Sequence, residues 1–505
     1  MRLTDYLDKG ASLDPDSPCL TASDRDLSYA EVQRLSYRVA RSLARSGVSP
    51  GDKVAILSAN DPVAFACVFG ISRAGAVWCP VNPRNEASEN QELLELFECR
   101  ALIYQRAFAP LVERISRGLP ALTVLVELEH LDEWLGDSPD HPWEAEPPDD
   151  VVMIAGTGGT TGRPKGVVLT GANIEAMTAI VLMSYPFADT PVYLAMAPLT
   201  HAAGVLCFPV LALGGRIVVL ARPDLGLFLE AIPRYRVTHT FLPPTLIYML
   251  LDDPRLATTD RSTLRCFWYG AAPMSPARLR QALTDIGPVM AQLYGQTEAP
   301  MMISTLAPAE HFAGPGVPAG SRLSSAGRPS PLVTVAIMDD EGRLLGRGER
   351  GEIVVRGSLV SPGYYKNPEA TAEARRDGWH RTGDVGYLDD DHYLYIVDRA
   401  KDMIITGGFN VYSAEVEQAI LEYPGVGDCA VVGLPDDKWG ERVVAVLEAG
   451  AGLDVAALRD HVRGRLGGVK TPKQFEIWAE LPRSKVGKIL KPEVKAALIQ
   501  EVAAR

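Results

Sequence analysis

The chain of 505 residues is too long for one compact core, so two or more domains are expected. Its composition of 47% hydrophobic and 22% charged residues is typical of a soluble globular protein. The net charge of −13 argues against a general nucleic-acid-binding protein and against stable binding to anionic membranes. This net charge is still compatible with a local basic pocket that binds a small anionic molecule.

The first residues, the apolar stretches and the cysteines indicate a soluble cytoplasmic protein. Asp5 and Asp8 lie where a signal peptide requires an apolar run. The apolar stretch at 205–215 is shorter than a bilayer span and contains Pro209. The seven cysteines have no Cys-x-x-Cys or zinc spacing, and their odd number disfavours a disulfide scaffold.

Short β-rich runs alternate with helical patterns over the first half of the chain. Helical patterns at 62–75 and 225–235 are examples of the segments between the runs. This alternation predicts an α/β fold with mainly parallel sheets. The predicted strands are 53–58, 76–81, 101–105, 122–128, 216–221 and 237–243.

The sequence pattern changes after residue 320. Short strands joined by Asp/Gly turns predict antiparallel hairpins over about 320–400. Beyond residue 400 the pattern predicts helix, strand, strand and helix, which is a small α+β unit of domain size. We therefore expect a large N-terminal domain over 1–400, with a β-rich subdomain at its end, and a mobile C-terminal lid domain over 401–505. The cleft between the two domains is the expected nucleotide site.

A glycine-rich segment at 156–166, GTGGTTGRPKG, follows a turn-rich acidic surface connection at 137–150. Successive backbone N–H groups in such a loop form a concave anion site. Threonine hydroxyls add donors, and a lysine adds a positive charge that reaches a terminal phosphate. The predicted phosphate-binding residues are Thr157, Gly158, Gly159, Thr160, Thr161, Gly162 and Lys165.

Two other glycine motifs fit this segment poorly. In a Walker A loop the lysine follows the last glycine directly, whereas Arg163 and Pro164 intervene here. A dinucleotide fingerprint requires a helix to open within the glycines, but Pro164 disfavours helix and 166–170 predicts a strand. A plain hairpin turn between two strands remains an alternative.

A glycine loop between two strands, with a lysine at its exit, resembles the phosphate loop of the adenylate-forming superfamily. This superfamily contains acyl-CoA synthetases, luciferases and peptide-synthetase adenylation domains. The resemblance continues in family order through 197–204, 269–273, 292–299, 380–386, 397–417 and 481–491, and is closest to an acyl- or aryl-CoA synthetase. It implies further nucleotide contacts at Gly270, Ala271, Ala272, Gln292, Tyr294, Gly295, Asp384 and Arg399. Among these, Tyr294 is expected to stack on adenine and Asp384 to accept hydrogen bonds from the ribose.

The resemblance also implies the catalytic residues. Thr297 is expected to bind the α-phosphate, Glu298 to hold Mg²⁺, and Lys488 to be the catalytic lysine. Lys401 takes the position of the hinge between the domains. The remaining implied residues are His201, beside the acyl pocket, and Gly407 and Gly408, along the tunnel for the pantetheine of coenzyme A.

The implied chemistry is an ATP-dependent activation of a carboxylic acid. The carboxylate attacks the α-phosphate of ATP to give an acyl-adenylate and pyrophosphate, and the thiol of coenzyme A then displaces AMP. Two anions meet in the first step, so Mg²⁺ and lysine charges are needed to neutralise them. In this family the C-terminal domain rotates between the two steps.

Two departures from the family pattern affect this interpretation. Gly158 stands where the family usually has serine, and a lost hydrogen bond to a charged group weakens binding by about 1.5–3 kcal/mol. An enzyme specialised for thioesterification of a preformed acyl-adenylate is therefore an alternative. Ala202 stands where amino-acid-activating relatives have aspartate, which argues against an α-amino acid.

The residues expected to line the substrate pocket are small and apolar, which favours a medium or bulky hydrophobic acid, whether aliphatic, aryl or polycyclic. For 202–208, a buried helix in the core is an equally acceptable interpretation. The expected pocket residues are His201, Ala202, Ala203, Val205, Trp268 and Met301, with Met302 beside them.

Three other functions remain open. One is a luciferase-like oxygenase, and another is an adenylating enzyme that delivers its product to a separate carrier protein. The third is a nucleotide-binding regulator without catalysis, against which the retained Glu298, Asp384 and Lys488 argue. The sequence does not indicate an oligomeric state.

Overall fold

The structure is a computed structural model that describes residues 1–23, 25–157, 164–399, 402–436, 438–450, 452–483 and 489–503. Its helices are α1 Leu3–Leu13, α2 Tyr29–Arg45, α3 Pro62–Arg73, α4 Ala87–Phe97, α5 Ala109–Ser116, α6 Leu131–Leu135, α7 Gly171–Ser184, α8 Ala202–Val205, α9 Cys207–Ala212, α10 Leu225–Tyr235, α11 Pro244–Leu251, α12 Pro276–Asp285, α13 Pro368–Glu373, α14 Ser413–Leu421, α15 Val455–Lys470 and α16 Lys491–Ala503.

The strands of the first half are β1 Pro18–Ala22, β2 Arg25–Ser28, β3 Lys53–Leu57, β4 Val77–Val81, β5 Cys99–Tyr104, β6 Val124–Glu127, β7 Val151–Thr157, β8 Lys165–Thr170, β9 Val192–Ala195, β10 Arg216–Val219, β11 His239–Leu242 and β12 Cys266–Tyr269. The remaining strands are β13 Met290–Gln296, β14 Ala299–Leu306, β15 Phe312–Gly314, β16 Val317–Pro318, β17 Arg328–Pro329, β18 Thr334–Met338, β19 Gly351–Arg356, β20 Gly363–Tyr364, β21 Arg375–Arg376, β22 Trp379–Leu388, β23 Leu394–Arg399, β24 Ile404–Thr406, β25 Phe409–Val411, β26 Val426–Asp436, β27 Gly440–Ala449 and β28 Gln474–Trp478.

Two large sheets form the N-terminal part. The first has the order β17-β14-β13-β12-β11-β9-β10-β1-β2, and the second has the order β20-β8-β7-β4-β3-β5-β6. The central strands of both sheets are parallel. Parallel strands are covered by helices on both faces, so their side chains are buried and mainly apolar, as in β4 and β12. β11 is also fully buried, but it contains the polar His239 and Thr240. The predicted α/β fold with mainly parallel sheets is confirmed.

A separate antiparallel sheet follows residue 330, as the Asp/Gly turns predicted. It has the order β18-β19-β22-β21, with β23 also paired to β22. The pairing of β22 with β23 places Asp384 directly opposite Arg399. This sheet therefore brings two of the predicted nucleotide residues together.

The C-terminal part contains more elements than the helix, strand, strand and helix that the sequence predicts. A hairpin of β24 and β25 precedes α14, and β28 and α16 follow α15. The hairpin strands have only three residues each, too few to produce a recognisable alternation. Their turn contains Gly407 and Gly408 at φ +58° and +81°, a conformation that favours glycine.

Two apolar clusters contain only residues from Ile404 onward, so the C-terminal part has a core of its own. This agrees with a boundary near residue 400, which stays a prediction. Among the helices of the described ranges, none has the length and apolar character that a bilayer crossing needs. All seven cysteines are buried and unpaired by disulfides.

The buried His239 of β11 makes the stability of the fold depend on pH. Its Nε2 lies 3.0 Å from the carbonyl oxygen of Pro186, its Nδ1 lies 2.7 Å from the Thr238 hydroxyl, and its ring stacks on Phe187. Burial lowers the pKa of His239 to about 4. In the unfolded chain the pKa of this histidine is near 6.5. Between about pH 4 and pH 6.5 the unfolded state therefore binds more protons than the folded state.

We therefore expect stability to fall as the pH drops from about 6.5 to about 4, with His239 contributing up to about 3 kcal/mol. His239→Gln removes this contribution and flattens the pH dependence of the urea unfolding midpoint. His130→Gln, at an exposed histidine, is the control. If the urea unfolding midpoint of His239→Gln depends on pH as it does in wild type, the assignment of this pH dependence to His239 is contradicted.

Candidate active site

The predicted phosphate loop joins two paired strands. β7 and β8 are antiparallel, with Gly156 opposite Gly166 and Thr157 opposite Lys165. The predicted strand–loop–strand arrangement is therefore observed at both ends of the loop, with Thr157 and Lys165 at its mouth. Gly158, Gly159, Thr160, Thr161 and Gly162 lie outside the described residues, so their contacts with phosphate stay predictions.

The two glycines that flank this loop have a packing role that the sequence did not reveal. A Cβ atom on Gly156 would lie 2.7 Å from the Leu93 side chain, and one on Gly166 would lie 2.5 Å from Phe97. Leu93 and Phe97 belong to α4, which packs directly against the hairpin. The glycines therefore allow α4 to approach the backbone of both strands.

Lys165 and Glu298 both contact Tyr364. The Lys165 ammonium lies 5.0 Å from the centre of the Tyr364 ring, and the Tyr364 hydroxyl donates to Glu298 Oε1 at 2.7 Å. Tyr364 reaches this position because β20 pairs with β8. Burial, with Glu298 beside it, raises the pKa of the Tyr364 phenol, so Tyr364 acts as a hydrogen-bond donor. Sequence reasoning missed Tyr364, because it contacts Glu298 across 66 residues of chain.

Thr297 and Glu298 form the two-residue turn between β13 and β14. The turn projects both side chains from the end of the hairpin. Close to it, a Cβ atom on Gly295 would lie 2.5 Å from the backbone of Met301, whose own φ is +55°. Gly295 therefore permits the close approach of the two paired strands at the irregularity in their register between Tyr294 and Gln296.

A single carboxylate such as Glu298 fits the way proteins hold Mg²⁺. This ion commonly takes one or two carboxylates and completes its coordination with substrate phosphates and water. Among the described residues, no group of three or more His, Cys, Asp or Glu side chains forms a complete metal cage. The donor set thus suits a nucleotide-bound Mg²⁺ better than a permanent structural metal.

Asp384 contacts two other predicted nucleotide residues. Its carboxylate, only 4% exposed, accepts a hydrogen bond from the Tyr294 hydroxyl at 2.6 Å and lies 2.8 Å from Arg399 Nε. Burial and the adjacent Asp384 raise the pKa of Tyr294, which keeps the phenol protonated. Each carboxylate oxygen accepts more than one hydrogen bond, so these contacts are compatible with additional donors from a ribose.

The predicted adenine turn lies at the end of β12. A Cβ atom on Gly270 would lie 2.3 Å from the Leu293 carbonyl oxygen, and Ala271 has φ +66°. Ala272 follows in the same turn. Gln292 on the neighbouring strand β13 pairs with Tyr269, whose hydroxyl lies 3.3 Å from Gln292 Oε1. These residues lie at the carboxyl ends of parallel strands, where open α/β sheets bind ligands.

His201 precedes the short helix α8 and is exposed, with its Nδ1 2.9 Å from the Thr200 hydroxyl. Its loop is held by Asn60, which sequence reasoning missed. The Asn60 amide donates to the carbonyl oxygens of Met196 and Ala197 and accepts from the Leu199 N–H at 2.9 Å. A small cleft, open to solvent, lies beside this loop, and Asn60, Leu199 and Thr200 are among its lining residues.

The other expected pocket residues are packed in the core. Trp268 is fully buried among Tyr185, Phe187, Tyr193 and His239. The burial of these residues supports the alternative interpretation, in which 202–208 is part of the core. Contact of the expected pocket residues with an acid substrate stays a prediction. The core residues are Ala203, Val205, Trp268, Met301 and Met302, with Ala202 half-buried beside them.

The residues expected to act from the C-terminal part are described only in part. Gly407 and Gly408 lie at the tip of the β24–β25 hairpin, where the Trp439 ring packs against Gly407. Lys401 and Lys488 lie outside the described residues, so the hinge and the catalytic lysine stay predictions.

We expect Tyr294→Phe to weaken AMP binding by about tenfold, since a hydrogen bond to a charged group contributes about 1.5–3 kcal/mol. Phenylalanine keeps the ring but removes the hydroxyl that orients Asp384. Calorimetric titration with AMP measures the effect, and Tyr395→Phe, at a ring stacked on Tyr387 in the same antiparallel sheet, is the control. Equal AMP affinity in wild type and Tyr294→Phe would exclude this role.

Comparison with known proteins agrees with this geometry. The model of the AMP-binding enzyme family matches residues 7–365, and that of the AMP-binding enzyme C-terminal domain matches 415–488. Feruloyl-CoA synthase of an Amycolatopsis species is 39% identical over 489 residues, covering 96% of each chain. Medium/long-chain-fatty-acid–CoA ligase FadD8 of Mycobacterium tuberculosis is 35% identical over 503 residues, covering 95% of this chain and 87% of FadD8.

Among solved structures, the amide bond synthetase McbA of Marinactinospora thermotolerans superposes with a TM-score of 0.89 at 31% identity. The superposition covers 98% of this chain and 99% of McbA. The likeness extends over nearly the whole chain in both sequence and fold. The chain therefore belongs to the family of AMP-binding enzymes.

Proposed function

We propose that the protein is an ATP-dependent acid:CoA ligase that works through an acyl-adenylate and forms AMP. The observation that carries the proposal is the meeting of Tyr294, Asp384 and Arg399 beside the adenine turn. The names of two relatives that align over nearly the whole chain, a CoA synthase and a CoA ligase, support coenzyme A as the acceptor.

In the first half-reaction a carboxylate oxygen attacks the α-phosphorus of ATP, and the bond to pyrophosphate breaks. Asp384 accepts hydrogen bonds from the ribose hydroxyls, and Arg399 orients the Asp384 carboxylate. Thr297 donates to the α-phosphate, and Lys165 and Lys488 supply positive charge. Mg²⁺, held by Glu298, would neutralise phosphate charge when bound. Catalysis is then mainly positioning and charge stabilisation.

In the second half-reaction the thiol of coenzyme A loses its proton to water, and its sulfur attacks the carbonyl carbon of the acyl-adenylate. The bond from that carbon to the phosphate oxygen breaks, and AMP leaves with its electrons. We propose that the C-terminal part turns about Lys401 before this step, so that Gly407 and Gly408 face the carbonyl. Their missing side chains leave room for the narrow pantetheine chain.

The proposed acid is hydrophobic, either aliphatic or aryl. Ala202 provides no carboxylate for a substrate ammonium, and Ala203, Val205 and Met301 are apolar. The names of the two relatives point to an aryl and a fatty acid, respectively. Because McbA is an amide bond synthetase, amines belong among the acceptors that should be tested. We place the enzyme in the cytoplasm, which supplies ATP and coenzyme A.

A panel of aryl, fatty and amino acids should separate these possibilities. We expect pyrophosphate exchange with hydrophobic acids and a thioester with coenzyme A, but no exchange with α-amino acids. Lys488→Ala should lower exchange by about 100-fold, because it removes a charge that acts on the meeting anions. Thioester formation from a synthetic acyl-adenylate should survive in this variant. Absence of AMP with every acid and acceptor would exclude the proposed function.

Gly158→Ser tests whether the phosphate loop limits adenylation. The restored hydroxyl should strengthen ATP binding by about tenfold, equivalent to about 1.4 kcal/mol. Thioesterification of a preformed acyl-adenylate should not change, because pyrophosphate is absent from that step. If the wild-type protein catalyses thioesterification but shows no pyrophosphate exchange with any acid, it is better described as an enzyme specialised for thioesterification.

A further inference from the structure

We propose that Tyr364 is a positioning residue for the Mg²⁺-bound phosphates of ATP. It belongs to the segment 361–364, which holds the carboxylate of Glu298 at a fixed distance from the hairpin of β7 and β8. The proposal rests on the function proposed above, in which Glu298 holds the Mg²⁺ that accompanies ATP.

Two of the groups expected to act on the phosphates of ATP come from different sheets. Lys165 begins β8 in the second sheet, and Glu298 lies in the turn between β13 and β14 of the first sheet. A metal ion at Glu298 and the charge of Lys165 act on one polyphosphate only if these two elements are held in a fixed geometry. The contacts of segment 361–364 provide this geometry.

Segment 361–364 donates two hydrogen bonds to Glu298. The backbone N–H of Ser361 donates to the Glu298 carbonyl oxygen at 2.8 Å, and the Tyr364 hydroxyl donates to Glu298 Oε1 at 2.7 Å. The first bond fixes the backbone of the turn, and the second orients the carboxylate. Because each carboxylate oxygen accepts more than one contact, this arrangement leaves room for Mg²⁺ at Glu298.

The same segment is part of the second sheet. β20, which contains Tyr364, pairs with β8, and the N–H of Tyr365 donates to the Gly166 carbonyl oxygen at 2.7 Å. The Tyr364 ring also lies 5.0 Å from the Lys165 ammonium. Tyr364 therefore contacts Lys165 through its ring and Glu298 through its hydroxyl.

The backbone of segment 361–364 is itself held in place. The N–H of Tyr364 donates to the Thr371 hydroxyl at 2.9 Å, and Arg375 donates to the Ser361 carbonyl oxygen at 3.0 Å. A Cβ atom on Gly363 would lie 2.4 Å from Thr371, and Gly363 has φ +142°, so glycine permits this close approach. Because both ends of the segment are fixed, the Tyr364 hydroxyl holds Glu298 at a constant distance from β8.

This arrangement predicts an effect that is specific to the metal. A hydrogen bond that orients a metal-binding carboxylate typically contributes about 10- to 100-fold to metal affinity or activity. AMP lacks the β- and γ-phosphates that share Mg²⁺ with Glu298. Loss of the Tyr364 hydroxyl should therefore weaken the binding of Mg²⁺·ATP and leave the binding of AMP unchanged.

The test is calorimetric titration with ATP in the presence of Mg²⁺, with ATP in the presence of EDTA, and with AMP. Tyr364→Phe keeps the ring beside Lys165 and removes only the hydroxyl that reaches Glu298. Tyr365→Phe is the matched control, because it removes a hydroxyl from the neighbouring ring, which lies 5.2 Å from the Lys53 ammonium. ATP–pyrophosphate exchange is also measured as a function of Mg²⁺ concentration.

We expect Tyr364→Phe to weaken the binding of Mg²⁺·ATP by about tenfold and to raise the Mg²⁺ concentration for half-maximal exchange by about as much. Its affinities for AMP and for ATP with EDTA should stay within about twofold of wild type, as should all affinities of Tyr365→Phe. A purely structural role would instead lower all three affinities together with the unfolding temperature.

Equal losses in all three titrations, or no loss with Mg²⁺·ATP, would overturn the positioning role while leaving the proposed function intact. A wild-type protein that binds Mg²⁺·ATP but catalyses neither half-reaction would instead overturn the proposed function, while the titrations would still decide the role of Tyr364. The two failures are thus distinguishable.

Discussion

The buried carboxylate of Asp384 is the interaction on which the arrangement of the site depends. A carboxylate removed from water is costly unless charged or polar donors satisfy it. Tyr294 from the first sheet and Arg399 from the antiparallel sheet provide those donors at the two oxygens. These two contacts hold the antiparallel sheet, which carries Asp384, against the end of β13. They also place Arg399 at the edge where a nucleotide is expected.

Local patterns were predictable from the sequence, and long-range contacts were not. α10 begins and ends where the helical pattern does, and β8 differs from its prediction by one residue, because apolar periodicity and turn residues act over a few positions. Motif order also pointed to Asp384, Arg399 and Tyr294, which contact one another in the structure; their contacts with a nucleotide stay predictions. Tyr364 was missed, because its neighbours in the chain carry no sign of the distant group that it contacts.

Several glycines in the candidate site satisfy two demands at once. Gly156 and Gly166 let α4 pack on the phosphate hairpin, and Gly270 lets the adenine turn approach the Leu293 backbone. Sequence reasoning assigned Gly270 and the phosphate loop to ligand binding alone, because a motif does not reveal which atoms lie against a missing side chain. A larger side chain at these positions would therefore first disturb the packing of the protein, and only through it the binding of a nucleotide.

The proposed rotation of the C-terminal part needs an interface that can separate at low cost. The contacts that cross it are polar: Asp398 with Ser413, Gln418 with Ser324 at 3.4 Å, and Arg350 with Glu415 at 3.8 Å. Water replaces the two outer contacts, those of Gln418 and Arg350, with little loss of free energy, since exposed ion pairs contribute about 0–1 kcal/mol. The contact of Asp398 with Ser413 is buried and costs more to break. The apolar clusters of the C-terminal part stay intact during such a movement, because they contain only residues from Ile404 onward. The division of the core thus agrees with the boundary near residue 400 that the proposed rotation requires.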